Sequence, residues 1–376
     1  MTLLGPVGAA LAASAARRRA VNGTCDQVMT RKLKLLFILD PLAGLKAYKD
    51  SSIAMMRAAA RRGHDVWALQ RAGLTWREGV VVGTGCVALE VSADDAAWYR
   101  AGESQALPLA AFQASRGAPV HRFLMTENRY EPGARLLPRW LVYTWDALRH
   151  RRHLSGVFCI GHAGRYGGAR FFAACGYPRS RTVPFVHVVD PTPVPRTPVS
   201  HGHLQVLYVG QLIPRKRVDL LLRAFSQLDV PTARLRLLGQ GPEEPALRRL
   251  AARLGIAERV SFSPGLPNAE TVAAMAGADV LVLPSRFDGW GAVVNEALMV
   301  GTPVICSNRC GASDLIENGR NGYVFEAGSA SALRERLRQY CEDFHWNRTE
   351  LANTETARLG GPAVAARFQH RLAQLL

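Results

Sequence analysis

At 376 residues, 48% of them apolar and 20% charged, the chain is long enough for two α/β domains with separate cores, and its composition excludes a disordered or collagen-like protein. No run of about 18 uncharged apolar residues occurs, so no membrane-spanning helix is expected. The net charge of +17 is carried almost wholly by arginine, spread along the chain without a nucleic-acid-binding motif, so a nucleic-acid partner is not expected. The excess fits either attraction to an anionic membrane surface or a solvated, arginine-biased exterior.

Residues 1–31 read as a disordered leader. The apolar stretch Thr2–Ala16 is followed, not preceded, by Arg17, Arg18 and Arg19, the wrong order for a secretory signal, and Met29 is an alternative start. Leu33–Leu39 reads as a buried strand, a helix capped by Asp50 or Ser51 runs to Arg62 and stops at Gly63, and Val66–Leu69 is a second strand. Together they predict a βαβ unit with a right-handed crossover. A middle piece follows over 113–190. It holds a basic helix over Leu137–His150 with Trp140 and Trp145, a short strand ending in Gly161, a helix over Ala169–Cys175 and a strand over Val183–Val189. Pro191, Pro193, Pro195 and Pro198 then mark a linker over 191–202.

Beyond the linker, strands and helices alternate to residue 345. Strands are predicted at 206–209, 235–238, 260–262, 280–283, 304–306 and 323–325, and helices at about 217–228, 242–254, 268–277, 291–300 and 329–343. Apolar strands without clean alternation, each followed by a helix, predict a parallel sheet covered on both faces. A last helix within 346–376 is expected to pack back on the N-terminal domain. The seven cysteines form no paired CxxC motifs, and Cys306 and Cys310 lack histidines at zinc-ligand spacing, so they read as free thiols of a cytoplasmic protein.

Ligands of such sheets bind at the carboxyl ends of the strands. After the first strand of this domain come Gly210, where the backbone can approach a ligand closely, and Gln211. They are followed by Arg215 and Lys216, next to a helix start. Lys216 is isolated, because the other lysines, Lys32, Lys34, Lys46 and Lys49, all lie near the N-terminus. A lysine there can neutralise a diphosphate, with Arg215 as its weaker neighbour. Gly239 and Gly241 form either a ligand-facing turn or simply a helix start with proline at its first position. After the fourth strand, Asp288 sits in a loop, Gly289 and Gly291 clear space beside Trp290, and Glu296 follows within the next helix. Two carboxylates so spaced can bracket one polar ligand, one accepting from sugar hydroxyls and the other from a ribose diol. The backbone amides of Gly291, Ala292 and Val293 at the helix start would face phosphates between them.

Continued by Gly301-Thr302-Pro303-Val304-Ile305, Gly311-Ala312-Ser313-Asp314-Leu315-Ile316 and Asn321-Gly322-Tyr323, this segment resembles family 4 glycosyltransferases with their acid-x7-acid signature, over about 204–340. Ile160-Gly161-His162-Ala163-Gly164 and Val188-Val189-Asp190 are similar to the end of that family's N-terminal domain. The resemblance implies an α/β, GT-B-like fold of two Rossmann-like doubly wound domains facing a cleft, the N-terminal one chimeric or incomplete. It implies transfer with retention from a nucleotide-sugar, UDP- or GDP-linked, to a glycan or lipid-linked acceptor, without metal or cofactor. Lys216 would hold the diphosphate, Asp288 the sugar and Glu296 the ribose. Gly210, Gln211, Arg215, Gly239, Gly241, Gly289, Trp290, Gly291, Ala292 and Val293 would line the donor. The enzyme would be cytoplasmic, peripheral at the inner face of the plasma membrane.

The pattern departs from that family at Asp288, where glutamate is common, at Gln211, where arginine is common, and at Arg217, where glycine is common. His121, His153, His162 and His187 stand on the acceptor side without a recognisable catalytic context, and read as structural or exposed. Upstream, Phe37-Ile38-Leu39-Asp40-Pro41-Leu42, Tyr48-Lys49-Asp50-Ser51-Ser52, Ala54-Met55-Met56 and Arg61-Arg62-Gly63-His64 resemble the N-terminal domain of prokaryotic glutathione synthetase over about 32–112. No counterpart of that family's ATP-binding core follows. Two alternatives therefore stay open: a catalytically inactive nucleotide-sugar-binding protein, and a glutathione- or γ-glutamyl-peptide-binding module.

Overall fold

The computed structural model describes residues 32–45, 51–77, 80–94, 96–103, 105–108, 123–127, 136–151, 154–161, 168–187, 203–342 and 347–360, with 363 and 366–367. The leader at 1–31 and the proline linker at 191–202 lie outside them.

β1 (Lys34–Leu39) and β2 (Asp65–Gln70) pair in parallel and are joined through α1 (Ser51–Arg61), as the sequence predicts. Ile53 and Met56 of α1 are fully buried against Val66, Ala68 and Leu89. The chain then adds β3 (Leu74–Arg77), β4 (Val80–Val91), β5 (Tyr99–Ala101) and β6 (Gln105–Pro108). β4 pairs antiparallel with β2, and β3, β5 and β6 pair antiparallel with β4, to make a six-stranded mixed sheet. These strands carry no clear signal in the sequence. Gly83 and Gly85 interrupt the valine run of β4, and the register shifts between Gly83 and Cys86.

The middle piece is a second, separate sheet. β7 (Phe123–Glu127), β8 (Gly156–Ile160) and β9 (Thr182–Phe185) run parallel, with α2 (Leu136–His150) and α3 (Gly168–Ala174) between them. β8 is buried throughout, and its two faces do different jobs. Val157 and Cys159 meet Ala147, Phe172 and Tyr177 on the helix side. Phe158 and Ile160, with Val183 and Phe185, join the apolar cluster of the C-terminal half. Among the described residues the N-terminal half therefore holds two sheets rather than one doubly wound domain, and the segment 33–112 does not extend the β7–β9 sheet.

The C-terminal half follows the predicted alternation. It comprises β10 (Gln205–Val209), α4 (Val218–Ser226), β11 (Arg234–Leu238), α5 (Glu244–Arg253), β12 (Val260–Ser263), α6 (Asn268–Gly277), β13 (Val280–Leu283), α7 (Ala292–Met299), β14 (Val304–Ser307), β15 (Gly322–Phe325) and α8 (Ala330–Glu342). All pairings are parallel, in the order β12-β11-β10-β13-β14-β15. Every residue of β13 and β14 is buried, whereas β12 at the edge is not, which is why the inner strands read as continuous apolar runs.

The last described helix, α9 (Arg348–Leu359), packs on this domain, and most of 361–376, the rest of the segment expected to return to the N-terminal domain, lies outside the described residues. Arg348 Nη2 donates to the Ala276 carbonyl at 2.7 Å and Thr356 Oγ1 to the Met299 carbonyl at 3.1 Å. Gly301, at φ +78°, leaves the room: a Cβ there would lie 2.1 Å from the Arg348 carbonyl oxygen.

Candidate active site

In the strand order β12-β11-β10-β13-β14-β15 the chain first builds outward from β10, then returns to its other side at β13. The crevice at such a reversal is where doubly wound sheets take their ligands. The β10–β13 ladder covers only Val206–Val280 and Leu207–Leu281, so the segments that follow can diverge. Those two segments, 210–217 and 284–291, hold most of the predicted site.

They are knit together directly. The Arg286 amide donates to the Arg215 carbonyl at 2.9 Å, and Arg215 Nη1 donates to the Phe287 carbonyl at 2.8 Å. Lys216 Nζ donates to Asp288 Oδ2, and Arg215 Nη1 stands 3.8 Å from Asp288 Oδ1. The Lys216 and Asp288 side chains are only 13% and 11% exposed, so this ion pair is shielded from solvent. Ser285 Oγ, fully buried, donates to Asp288 Oδ2 at 3.4 Å, and the Asp288 amide donates to the Arg309 carbonyl at 3.1 Å. These loops thus carry Arg215, Lys216, Arg217 and Arg286, with Arg309 bonded to them through its carbonyl, against Asp219 and Asp288. Such a balance favours a multiply charged anion.

The sequence's departures acquire physical reasons here. Arg217 has φ 51° and ψ 43°, the left-handed region where glycine is usual, and is the one non-glycine residue with positive φ among those described. Its guanidinium grips Asp219 with two hydrogen bonds of 2.9 and 3.1 Å, which offsets the strain and fixes the entry into α4. Gln211 is exposed and takes part through its carbonyl, which accepts from Tyr208 Oη at 2.8 Å. Burial, with Asp288 nearby, pushes the Tyr208 hydroxyl's pKa up, so it stays a donor.

The glycines separate into two kinds. At Gly239 (φ +147°) a Cβ would lie 1.9 Å from the Gly210 carbonyl oxygen, and at Gly241 2.3 Å from that of Leu212. Both let the β11 loop press against the β10 loop, where the Leu212 amide donates to the Gln240 carbonyl at 3.0 Å. Gly291 (φ +91°) begins α7, beside Cys310 Sγ, and places the amides of Ala292 and Val293 in the first turn, where a helix supplies them no acceptor. Gly289 and Gly291 are half-buried, as are Ala292 and Val293. Trp290 is different: its ring is buried and Nε1 donates to Asn295 Oδ1 at 2.7 Å, so its side chain belongs to the core. Asn295 in turn donates to the His187 carbonyl at 3.3 Å, tying α7 to the end of the β7–β9 sheet. Glu296 lies half-buried on α7, in the turn after those amides. His121, His153 and His162 lie outside the described residues.

Ser285 and Tyr208 went unnoticed in the sequence, and Cys310 was read there only as a free thiol. Ser285 alone left a trace, since a serine directly after a buried strand and proline is placed to hydrogen-bond the following loop. Cys310 is fully buried, donates to the Trp290 carbonyl at 3.0 Å, and has its thiol pKa pushed well up by desolvation, with Cys306 and Asp288 adding to it. It is inert packing.

A parallel sheet in this order, reversing between β10 and β13, gives the C-terminal half a doubly wound α/β architecture. Solved GT-B-type structures share the arrangement. HepE of Anabaena, in complex with UDP, superposes with a TM-score of 0.57 over 70% of this chain and 74% of its own, at 20% identity. Sucrose-phosphate synthase of Thermosynechococcus elongatus does so with 0.54 over 92% and 99%, at 19% identity. Residues 195–355 match the family described as glycosyl transferases group 1, and residues 33–115 match the prokaryotic glutathione synthetase N-terminal domain.

Among curated proteins, the chain is 30% identical over 257 residues to the GDP-mannose-dependent alpha-(1-6)-phosphatidylinositol monomannoside mannosyltransferase of Mycolicibacterium smegmatis, covering 63% of this chain and 64% of the relative. It is 33% identical over 180 residues to the D-inositol 3-phosphate glycosyltransferase of Rhodococcus jostii, covering 41% and 40%. The chain thus spans less than two thirds of either relative.

Proposed function

We propose that this chain is a glycosyltransferase that moves a sugar from a nucleotide-activated donor to a glycan or lipid-linked acceptor, with retention of anomeric configuration and without a metal ion. The observation that carries this reading is the meeting of Lys216, Arg215 and Asp288 at the sheet's reversal point, from loops 72 residues apart.

In this reading the donor diphosphate lies against Lys216, Arg215 and the first amides of α7. As the bond from the anomeric carbon to the diphosphate oxygen breaks, the acceptor hydroxyl oxygen bonds the anomeric carbon from the same face, and the hydroxyl proton passes to the departing phosphate oxygen. The electron pair of the broken bond leaves with the nucleoside diphosphate. The ammonium, the guanidinium and the helix N-terminus stabilise that charge where it develops. Asp288 accepts hydrogen bonds from sugar hydroxyls and Glu296 from the ribose diol. The relatives support GDP-mannose as the first donor to test, UDP-sugars as the second, and an inositol-containing lipid as the first acceptor. A lipid acceptor would bring the enzyme to the cytoplasmic face of a membrane.

Calorimetry tests the reading. Lys216→Ala and Glu296→Ala should each weaken donor binding by about tenfold to a hundredfold, the worth of a lost charge-assisted contact. Unchanged affinity for both GDP- and UDP-sugars would refute it. Turnover of labelled donor that survives a chelator separates metal-free transfer from metal-assisted chemistry, and binding without turnover would mark an inactive binder.

A further inference from the structure

We propose that the outer face of α2 docks on an anionic lipid bilayer. The helix is two-faced. On one side Ala147 is fully buried, and the Tyr143 ring meets Phe171 and Phe172 edge-on at 5.5 and 5.3 Å. On the other, Leu141, Trp145 and Leu148 recur at helical spacing as a single stripe, with Val142 beside it, and these four side chains are 54 to 65% exposed. Trp140 is exposed at the stripe's margin. Among the described residues, the large exposed apolar side chains are these five and Ile38. The far face of the β7–β9 sheet is taken up by the C-terminal core, so α2 packs on the other face of that sheet.

Charge selects the occupant. From 135 to 152 the sequence carries Arg135, Arg139, Arg149, Arg151 and Arg152 against the single acid Asp146, in a chain of net charge +17. A second copy on this face would bring two basic segments together, which is repulsive. An anionic bilayer satisfies both features. Leucine and valine side chains enter the acyl boundary, Trp140 and Trp145 sit at headgroup depth, and the excess positive charge of the segment attracts lipid phosphates. The proposal rests on the lipid-linked acceptor of the function proposed above, and it supplies the surface that would bring the crevice to such an acceptor.

The experiment is co-sedimentation of the full chain with vesicles of phosphatidylcholine alone or mixed with phosphatidylglycerol. Binding should be roughly tenfold tighter to the anionic vesicles and should weaken as salt is raised. A Leu141→Ser/Trp145→Ser/Leu148→Ser variant should lose roughly tenfold or more of it. Its thermal midpoint should match the parent's, because the altered side chains are exposed. Equal binding to both vesicle types, or a variant that binds as the parent does, would overturn the proposal. So would a parent dimer that the variant converts to a monomer in sedimentation velocity, since the face would then belong to a second copy. GDP affinity, measured by calorimetry on both proteins, separates the two readings. Loss of vesicle binding with GDP binding intact concerns this surface alone, whereas absent GDP binding in both would count against the donor site alone.

Discussion

The Lys216–Asp288 pair makes a prediction that a simple list of ligand contacts would miss. If Lys216 is to grip a diphosphate, it must first loosen its hold on Asp288. Removing the aspartate's charge should therefore improve the binding of a nucleoside diphosphate that carries no sugar. Asp288→Asn keeps the size and the hydrogen bond. A charge pair in contact is worth about 4 kcal/mol at an effective dielectric of about 20. These side chains are only 13% and 11% exposed, so little is lost to screening, but desolvation takes back most of it. A net of about 1–2 kcal/mol remains, or roughly 5- to 30-fold tighter GDP or UDP binding by calorimetry. The nucleotide-sugar should not gain in step, because the variant cannot accept hydroxyl hydrogen bonds as strongly. The ratio of nucleotide-sugar to nucleotide affinity should therefore fall. If Asp288→Asn binds both nucleotides no tighter than the parent does, Lys216 is not the diphosphate ligand and the reasoning is wrong.

Two stability predictions concern the scaffold of the site. Gly239→Ala should cost about 2–3 kcal/mol, because its Cβ would meet the Gly210 carbonyl oxygen at 1.9 Å at a φ that L-residues rarely adopt. A thermal midpoint within about 1 °C of the parent would show that the β10 and β11 loops can part without loss. Glu355 is fully buried on α9, accepting from Arg358 Nε at 2.7 Å and from Asn321 Nδ2 at 3.2 Å. Glu355→Ala should cost about 3–5 kcal/mol in a urea melt, with Glu355→Gln between it and the parent, whereas equal melts for all three would deny α9 a role in the domain's stability.

The elements of 204–342 were legible because a parallel sheet covered on both faces needs continuous apolar strands, and each crossover needs an amphipathic helix. The strands at 280–283 and the helix at 268–277 fall where the pattern puts them. The first βαβ unit was legible for the same reason. β3 to β6 were not, since antiparallel pairing around the glycines of β4 depends on partners rather than on local period. Nor was the division of the N-terminal half into two sheets, which long-range pairing alone decides.

At the site, the isolation of Lys216 and the spacing of Asp288 and Glu296 drew attention to segments that follow strands, where doubly wound sheets take their ligands. That Lys216 and Asp288 pair with each other, that the Trp290 ring belongs to the core, and that Arg217 is left-handed are facts of tertiary structure. The sequence by itself determined which residues stand at the strand ends. Only the folded chain decided which of them touch, because loops 72 residues apart meet through the order of the strands between them, an order that local residue patterns do not encode.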